Sequence, residues 1–156
     1  MRQENKKTTS TNKITNFEKA YTAVQKLENE YKSCKDENAR KKAHQEICEI
    51  IQSLISEDDV QRFIWYAYKE SRDNGNKYIN FSNLTRKHKV NDYVRCMKKQ
   101  GFTHFTMTST WSNVVEVAWR FEEAGCELCG MTHVTVCTGC SLTRKYQNKP
   151  AFIFEL

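Results

Sequence analysis

Two C-x-x-C pairs, Cys126/Cys129 and Cys137/Cys140, stand with only residues 130–136 between them. Zinc takes about four soft ligands in a tetrahedron. A C-x-x-C turn sets two thiolates on one side of the ion, and Gly130 and Gly139 offer the positive φ that such turns want. The spacing therefore predicts one zinc ion held by Cys126, Cys129, Cys137 and Cys140. Four thiolates leave no open position for water, so the metal is structural. His133, midway between the pairs, is a spare ligand; its ordinary role is a strand or loop residue facing solvent. One geometric objection stands. Residues 130–136 also read as a strand, and fully extended they would hold the pairs roughly 20 Å apart. Either the segment bends back near His133, or the pairs bind different things.

Other cysteine chemistries fit less well. A thioredoxin-like C-x-x-C opens a helix after a strand, whereas the first pair here follows a helical pattern. The deaminase pattern needs an H-x-E and a proline before its C-x-x-C, and neither is present. Cys34, Cys48 and Cys96 are isolated and read as small, partly buried hydrophobes. His44, His88 and His104 share no metal-ligand spacing; His104 lies in a strand and reads as packing.

The chain of 156 residues suffices for one domain, and its 38% hydrophobic content can build a core. One proline and five glycines impose few breaks, which favours long helices. No apolar run reaches membrane-spanning length, and the N-terminus lacks the hydrophobic stretch of a signal peptide. A cytoplasmic location with reduced cysteines follows as the expectation. The net charge of +6 suits a polyanion or an acidic protein surface.

Residues 1–14 read as a flexible basic tail and 15–156 as a single α+β domain. Its helical part covers 15–75 and its α/β part 76–156, with the zinc-binding segment at 126–140. Asn16 caps a first helix carrying Phe17, Tyr21, Val24, Leu27 and Tyr31 at helical period. After a polar break at 33–38, a second helix places Ala43, Ile47, Ile50, Ile51, Leu54 and Ile55 on one face; the two form a helical hairpin. Ser56-Glu57-Asp58-Asp59 starts a third helix, with Val60, Phe63, Ile64, Ala67 and Tyr68 inward. It stops at Asp73-Asn74-Gly75-Asn76. Residues 78–81 read as a short strand and Asn91–Gln100 as a helix ended by Gly101. A strand over 102–109, a helix capped by Ser112 and a strand over 132–136 form a βαβ unit with parallel strands and a right-handed crossover. Val114, Val115, Val117, Ala118 and Phe121 are that helix's apolar face, and Trp111 and Trp119 pack it on the sheet. Residues 151–154 close the small mixed sheet, antiparallel to the preceding strand.

The most basic stretch holds Arg86, Lys87, Lys89, Arg95, Lys98 and Lys99 against one acid, Asp92. It can contact phosphates or dock on an acidic protein patch. Arg144, Lys145 and Tyr146 make a smaller basic, aromatic surface. No phosphate loop, nucleophile elbow or ordered triad is found, so the expectation is a binding protein and not an enzyme.

The stretch from Gly101 to Glu116, continuing through Phe121-Glu-Glu-Ala-Gly125, resembles a module of small proteins of bacteriophages and mobile elements. Small size, richness in Lys, Asn and Ile, and the cysteine quartet make the chain similar in kind to phage-encoded anti-CRISPR proteins. That resemblance implies a non-enzymatic inhibitor that binds a host defence protein, an RNA-guided Cas nuclease, and blocks its loading with target DNA. The contact would run through Arg86, Lys87, Lys89, Lys98 and Lys99. A zinc-containing nucleic-acid-binding module is the alternative.

Overall fold

A computed structural model describes residues 16–55, 58–81, 87–108, 114–139 and 142–156. The expected tail at 1–14, the caps Ser56 and Ser112, and Arg86, Trp111 and Cys140 lie outside the described residues, as does the side chain of Lys87. The chain forms two compact units, 1–54 and 55–156, where the sequence reading drew its internal line at 75/76.

In the first unit, helix α1 spans Phe17–Ser33 and helix α2 Glu37–Ile55. Asn16 caps α1 as its side chain predicts: Oδ1 accepts from the backbone N–H groups of Glu18 and Lys19 at 2.9 and 3.2 Å. Phe17, Ala20 and Val24 are buried along one stripe. The link between the helices is short, and beside it the Arg40 guanidinium lies 4.6 Å over the Tyr31 ring.

The second unit begins with α3 (Asp59–Asp73), capped by Asp58, whose carboxylate accepts from Val60 N–H at 2.9 Å. Strand β1 (Ile79–Phe81) follows, then a 3₁₀ turn (Lys87–Lys89), α4 (Val90–Lys99), β2 (His104–Met107), α5 (Val114–Glu123), β3 (Glu127–Thr138) and β4 (Lys145–Glu155). These residues form one four-stranded mixed sheet in the order β1-β2-β4-β3. β1 and β2 are parallel neighbours joined through α4, a βαβ unit that the sequence reading passed over because Ile79–Phe81 is so short. The expected unit β2-α5-β3 differs in one respect: β4 is inserted between its two strands and pairs antiparallel with both. A chain end returning as a strand has antiparallel hydrogen-bond partners on both sides there, so the crossover strands stay parallel without touching.

Register gives each face of the sheet its character. Ile79 and Phe81, then Phe105 and Met107, then Phe154 and Phe152 share one face. Phe121 of α5 packs on it, with ring centroids 4.6 Å from Phe105, 5.7 Å from Phe154 and 6.1 Å from Phe81. Phe63 of α3 stacks on Phe81 and on Tyr93 of α4. Four phenylalanines from β1, β2, β4 and α5 thus share one fully buried cluster. Edge-to-face and offset contacts there add to the area term. Behind β1, the Ser71 hydroxyl of α3 accepts from Asn80 N–H at 2.8 Å, and Thr106 donates to Asn80 Oδ1 at 2.8 Å, so the polar groups buried under the sheet are satisfied. One tryptophan expectation changes. Trp119 is 60% exposed: α5 turns Val117 and Phe121 inward, and position 119 falls on its outer side.

β3 and β4 run paired from Glu127↔Glu155 to Thr138↔Lys145, with one irregularity at Cys129 between Leu128 and Gly130. β2 covers β4 only from Phe152 to Glu155, so the rest of the pair continues as a two-stranded ribbon. Val134, Val136 and Ala151 on one face of the ribbon are buried. The opposite face presents Met131, His133, Thr135 and Cys137 beside their partners Phe152, Pro150, Asn148 and Tyr146. The outer edge of β3 is capped at Thr135. Asn76, in the turn after α3, donates from Nδ2 to Thr135 O at 2.8 Å and accepts from Thr135 N–H at 2.9 Å, as a neighbouring strand would. Because Thr135 turns its backbone away from β4, its partner Asn148 turns away from β3, and so does Pro150 two positions on. The chain's one proline therefore sits on the bare edge of β4 just past the end of β2, where a missing N–H discourages a further strand.

Two stability effects follow, readable by urea unfolding. Phe105→Ala, which empties the centre of the aromatic cluster, should cost about 3–5 kcal/mol, while Tyr66→Ala on the exposed side of α3 should stay within about 0.5 kcal/mol. Asn76→Ala removes both bonds to Thr135 and should cost about 1–2 kcal/mol; no loss would show that the clamp does not hold the ribbon.

Candidate functional site

Among the described side chains of the basic run, Lys89, Arg95 and Lys99 share their surroundings with acids. Lys89 is half-buried and its Nζ lies 4.0 Å from Asp59 of α3. Arg95 Nη1 sits 3.2 Å from Asp92 Oδ1 on its own helix. Lys98 and Lys99 are exposed in the last turn of α4, where cations complement the helix dipole. Nine residues of helix put them about 14 Å along the axis from Lys89. Asp58, Asp92, Lys89, Arg95 and Lys99 line an open cleft of mixed charge between α3 and α4. Cys96 opens onto it; burial, with a smaller push from Asp58 and against the pull of Lys99, moves its thiol up to about 11.

The three described cysteines of the quartet are spread out. Cys126 is buried just before β3, Cys129 is exposed at its irregularity, and Cys137 is half-buried near the other end. Eight residue steps along the strand take Cys129 to Cys137, about 26 Å at the rise of an extended chain. Burial raises the Cys126 thiol, with Lys98 opposing. Among the described residues no group of three or more potential ligands converges. One zinc on both pairs would require β3 to open between Gly130 and Val136 and give up its pairing with β4. His133 is exposed on the ribbon's open face, apart from either cysteine pair.

What the structure does gather is the ribbon's own charge. From Leu128 to Phe154 the chain contains no Asp or Glu, while Arg144, Lys145 and Lys149 fall on β4 and the segment leading into it. Arg144 and Lys145 are exposed, Tyr146 is 57% exposed and Leu142 92%. On the open face, Thr135 Oγ1 donates to Asn148 Oδ1 at 3.1 Å. The sequence reading caught Arg144, Lys145 and Tyr146; it missed Lys149, which shares the face of Lys145 and Val134, and His133 and Asn148, which share the opposite face with Tyr146. The missing signal was the absence of acid between Glu127 and Glu155, which local charge counting does not weigh. At the loop, Gly139 has φ +114°, and a Cβ there would collide with the Thr143 carbonyl, so the turn that presents these residues depends on glycine.

The raised Cys96 thiol gives a pH-dependent expectation. The thiolate is the reactive form, so below pH 9 Cys96 holds roughly 100-fold less of it than an ordinary thiol. Its alkylation rate, followed by mass spectrometry, should climb about tenfold per pH unit until near pH 11; a plateau near pH 9 would contradict the burial described.

No helix among the described residues is long and apolar enough to cross a membrane. No curated protein and no solved structure matches the chain. Residues 62–156, from α3 to the end of β4, match one family, so that α1 and α2 lie outside the match. The chain belongs to the family DUF7698, a domain of unknown function.

Proposed function

We propose that this chain is a non-catalytic module that binds nucleic acid through the β3–β4 ribbon. The observation that carries the reading is the acid-free stretch from Leu128 to Phe154 with Arg144, Lys145 and Lys149 on it. A polyanion meets cations there with no carboxylate to repel it. Tyr146, Asn148 and His133, on the opposite face of the ribbon from Lys145 and Lys149, offer side chains that stack on or hydrogen-bond to bases. The inhibitor reading, in which the basic run from Arg86 to Lys99 docks on a Cas nuclease, ranks second. Its described cations are divided between Asp59, Asp92 and the end of α4. A stoichiometric complex with such a nuclease, stable without nucleic acid, would restore it. The zinc reading is an alternative to the ribbon as described, since the metal would need β3 open; about one zinc per chain in protein purified without added metal supports it.

The nucleic-acid reading is tested by anisotropy titration of a labelled oligonucleotide at several salt concentrations. Three phosphate contacts to a single strand give a slope of log K against log salt near −2, about a twenty-fold loss between 50 and 200 mM. Lys145→Glu with Lys149→Glu should abolish most of this binding and leave the urea midpoint nearly unchanged. Salt-independent affinity, or full binding by the double reversal, would contradict the proposal.

A further inference from the structure

We infer that His44 and Cys48 of α2 form a metal site of their own, a two-donor chelate for a zinc-class cation, separate from the cysteine quartet and independent of nucleic-acid binding. Side chains four residues apart on a helix stand one turn above the other on the same face. α2 runs unbroken from Glu37 to Ile55, and it brings His44 Nε2 to 3.8 Å from Cys48 Sγ. The sequence reading set the histidines against one another and so passed over this spacing. Zinc bonds a thiolate at about 2.3 Å and an imidazole nitrogen at about 2.0–2.1 Å, and at the tetrahedral angle those bonds put the two donors about 3.6 Å apart. The pair already stands within about 0.2 Å of that bite, with no movement of the backbone.

The surroundings suit an ion arriving from solvent. His44 is exposed and Cys48 half-buried. On the α1 side, the Tyr31 ring tilts against the imidazole, centroids 6.5 Å apart, and limits its swing. The cations one turn earlier are engaged elsewhere: Arg40 lies over the Tyr31 ring, and Lys41 pairs with Glu37 at 2.9 Å. A thiolate with an imidazole selects zinc over magnesium or calcium, which take oxygen donors. On binding, the Cys48 thiol gives its proton to solvent, and the ion bonds to the thiolate and to Nε2. No third His, Cys, Asp or Glu joins them among the described residues. Water completes the coordination, so the site is open and exchanges its metal. A chelator strips such a site readily, whereas four thiolates enclose their ion.

The test is alkylation of the full chain by iodoacetamide, with zinc, with magnesium and without either, read residue by residue by mass spectrometry. Saturating zinc should slow alkylation of Cys48 at least about tenfold. Magnesium should not, and a chelator should restore the rate. Cys34, whose thiol meets the Asp36 carbonyl, is the internal control and should keep its rate. His44→Gln, a helix-compatible change at an exposed position, should lose the protection. Cys129→Ser should keep it, which separates this site from the quartet. Cys48 alkylation unchanged by zinc overturns the inference, as does protection that survives His44→Gln or disappears in Cys129→Ser. Slower alkylation of Cys48 in metal-free His44→Gln, with zinc without effect on either protein, would show a base-activated thiol in place of a metal site and overturn it as well.

Discussion

The pairing of β3 with β4 along its whole length, clamped at Thr135 by Asn76, is the constraint on which the rest of the sheet unit depends. Because β3 is continuous, Cys129 and Cys137 stand at its opposite ends. Because β4 outruns β2, the strand pair continues as a ribbon with one face buried and one open. A single side chain in the turn after α3 does what an adjacent strand would do: it satisfies both backbone groups of one edge residue. It thereby fixes the ribbon to α3 and removes a pairing site that an edge strand otherwise exposes.

The consequence for chemistry is a trade between two uses of one segment. Residues 130–136 can be a strand, holding Met131, His133 and Thr135 on a flat open face, or a bent link that lets two C-x-x-C pairs close on one ion. They cannot be both, since the first needs the pairs about 26 Å apart and the second within a few ångströms. The hydrogen bonds along β3, the burial of Val134 and Val136 and the Asn76 clamp all favour the strand. Metal coordination would have to replace every one of them.

The legible parts of the fold were those with a strong local period or cap. Asn16 and the stripe through Phe17 and Val24, the acidic start of α3, and Gly101 and Gly125 as stops all act within one or two turns of chain. The α+β character followed from them. Sheet order did not: nothing local tells β4 to insert between β2 and β3, because that choice is made by Phe154 fitting between Phe105 and Phe121. Trp119 and Val115 misled for a related reason, since hydrophobicity marks a helix face only when the partner surface is wide enough to cover it. The candidate site was half legible. The cysteines and the triplet Arg144-Lys145-Tyr146 were seen, but which of them share a face is a matter of strand parity over a register set elsewhere.

The most direct test of this account is hydrogen exchange at the Val134 and Val136 amides of protein equilibrated with one equivalent of zinc, read by NMR. Both residues pair with β4, opposite Lys149 and Gln147. A continuous, clamped β3 predicts slow exchange at both positions, unchanged by zinc or by a chelator. Fast exchange in the zinc-equilibrated protein, together with about one tightly held zinc per chain, would show that the cysteine pairs close on the metal and that the strand described here gives way to it.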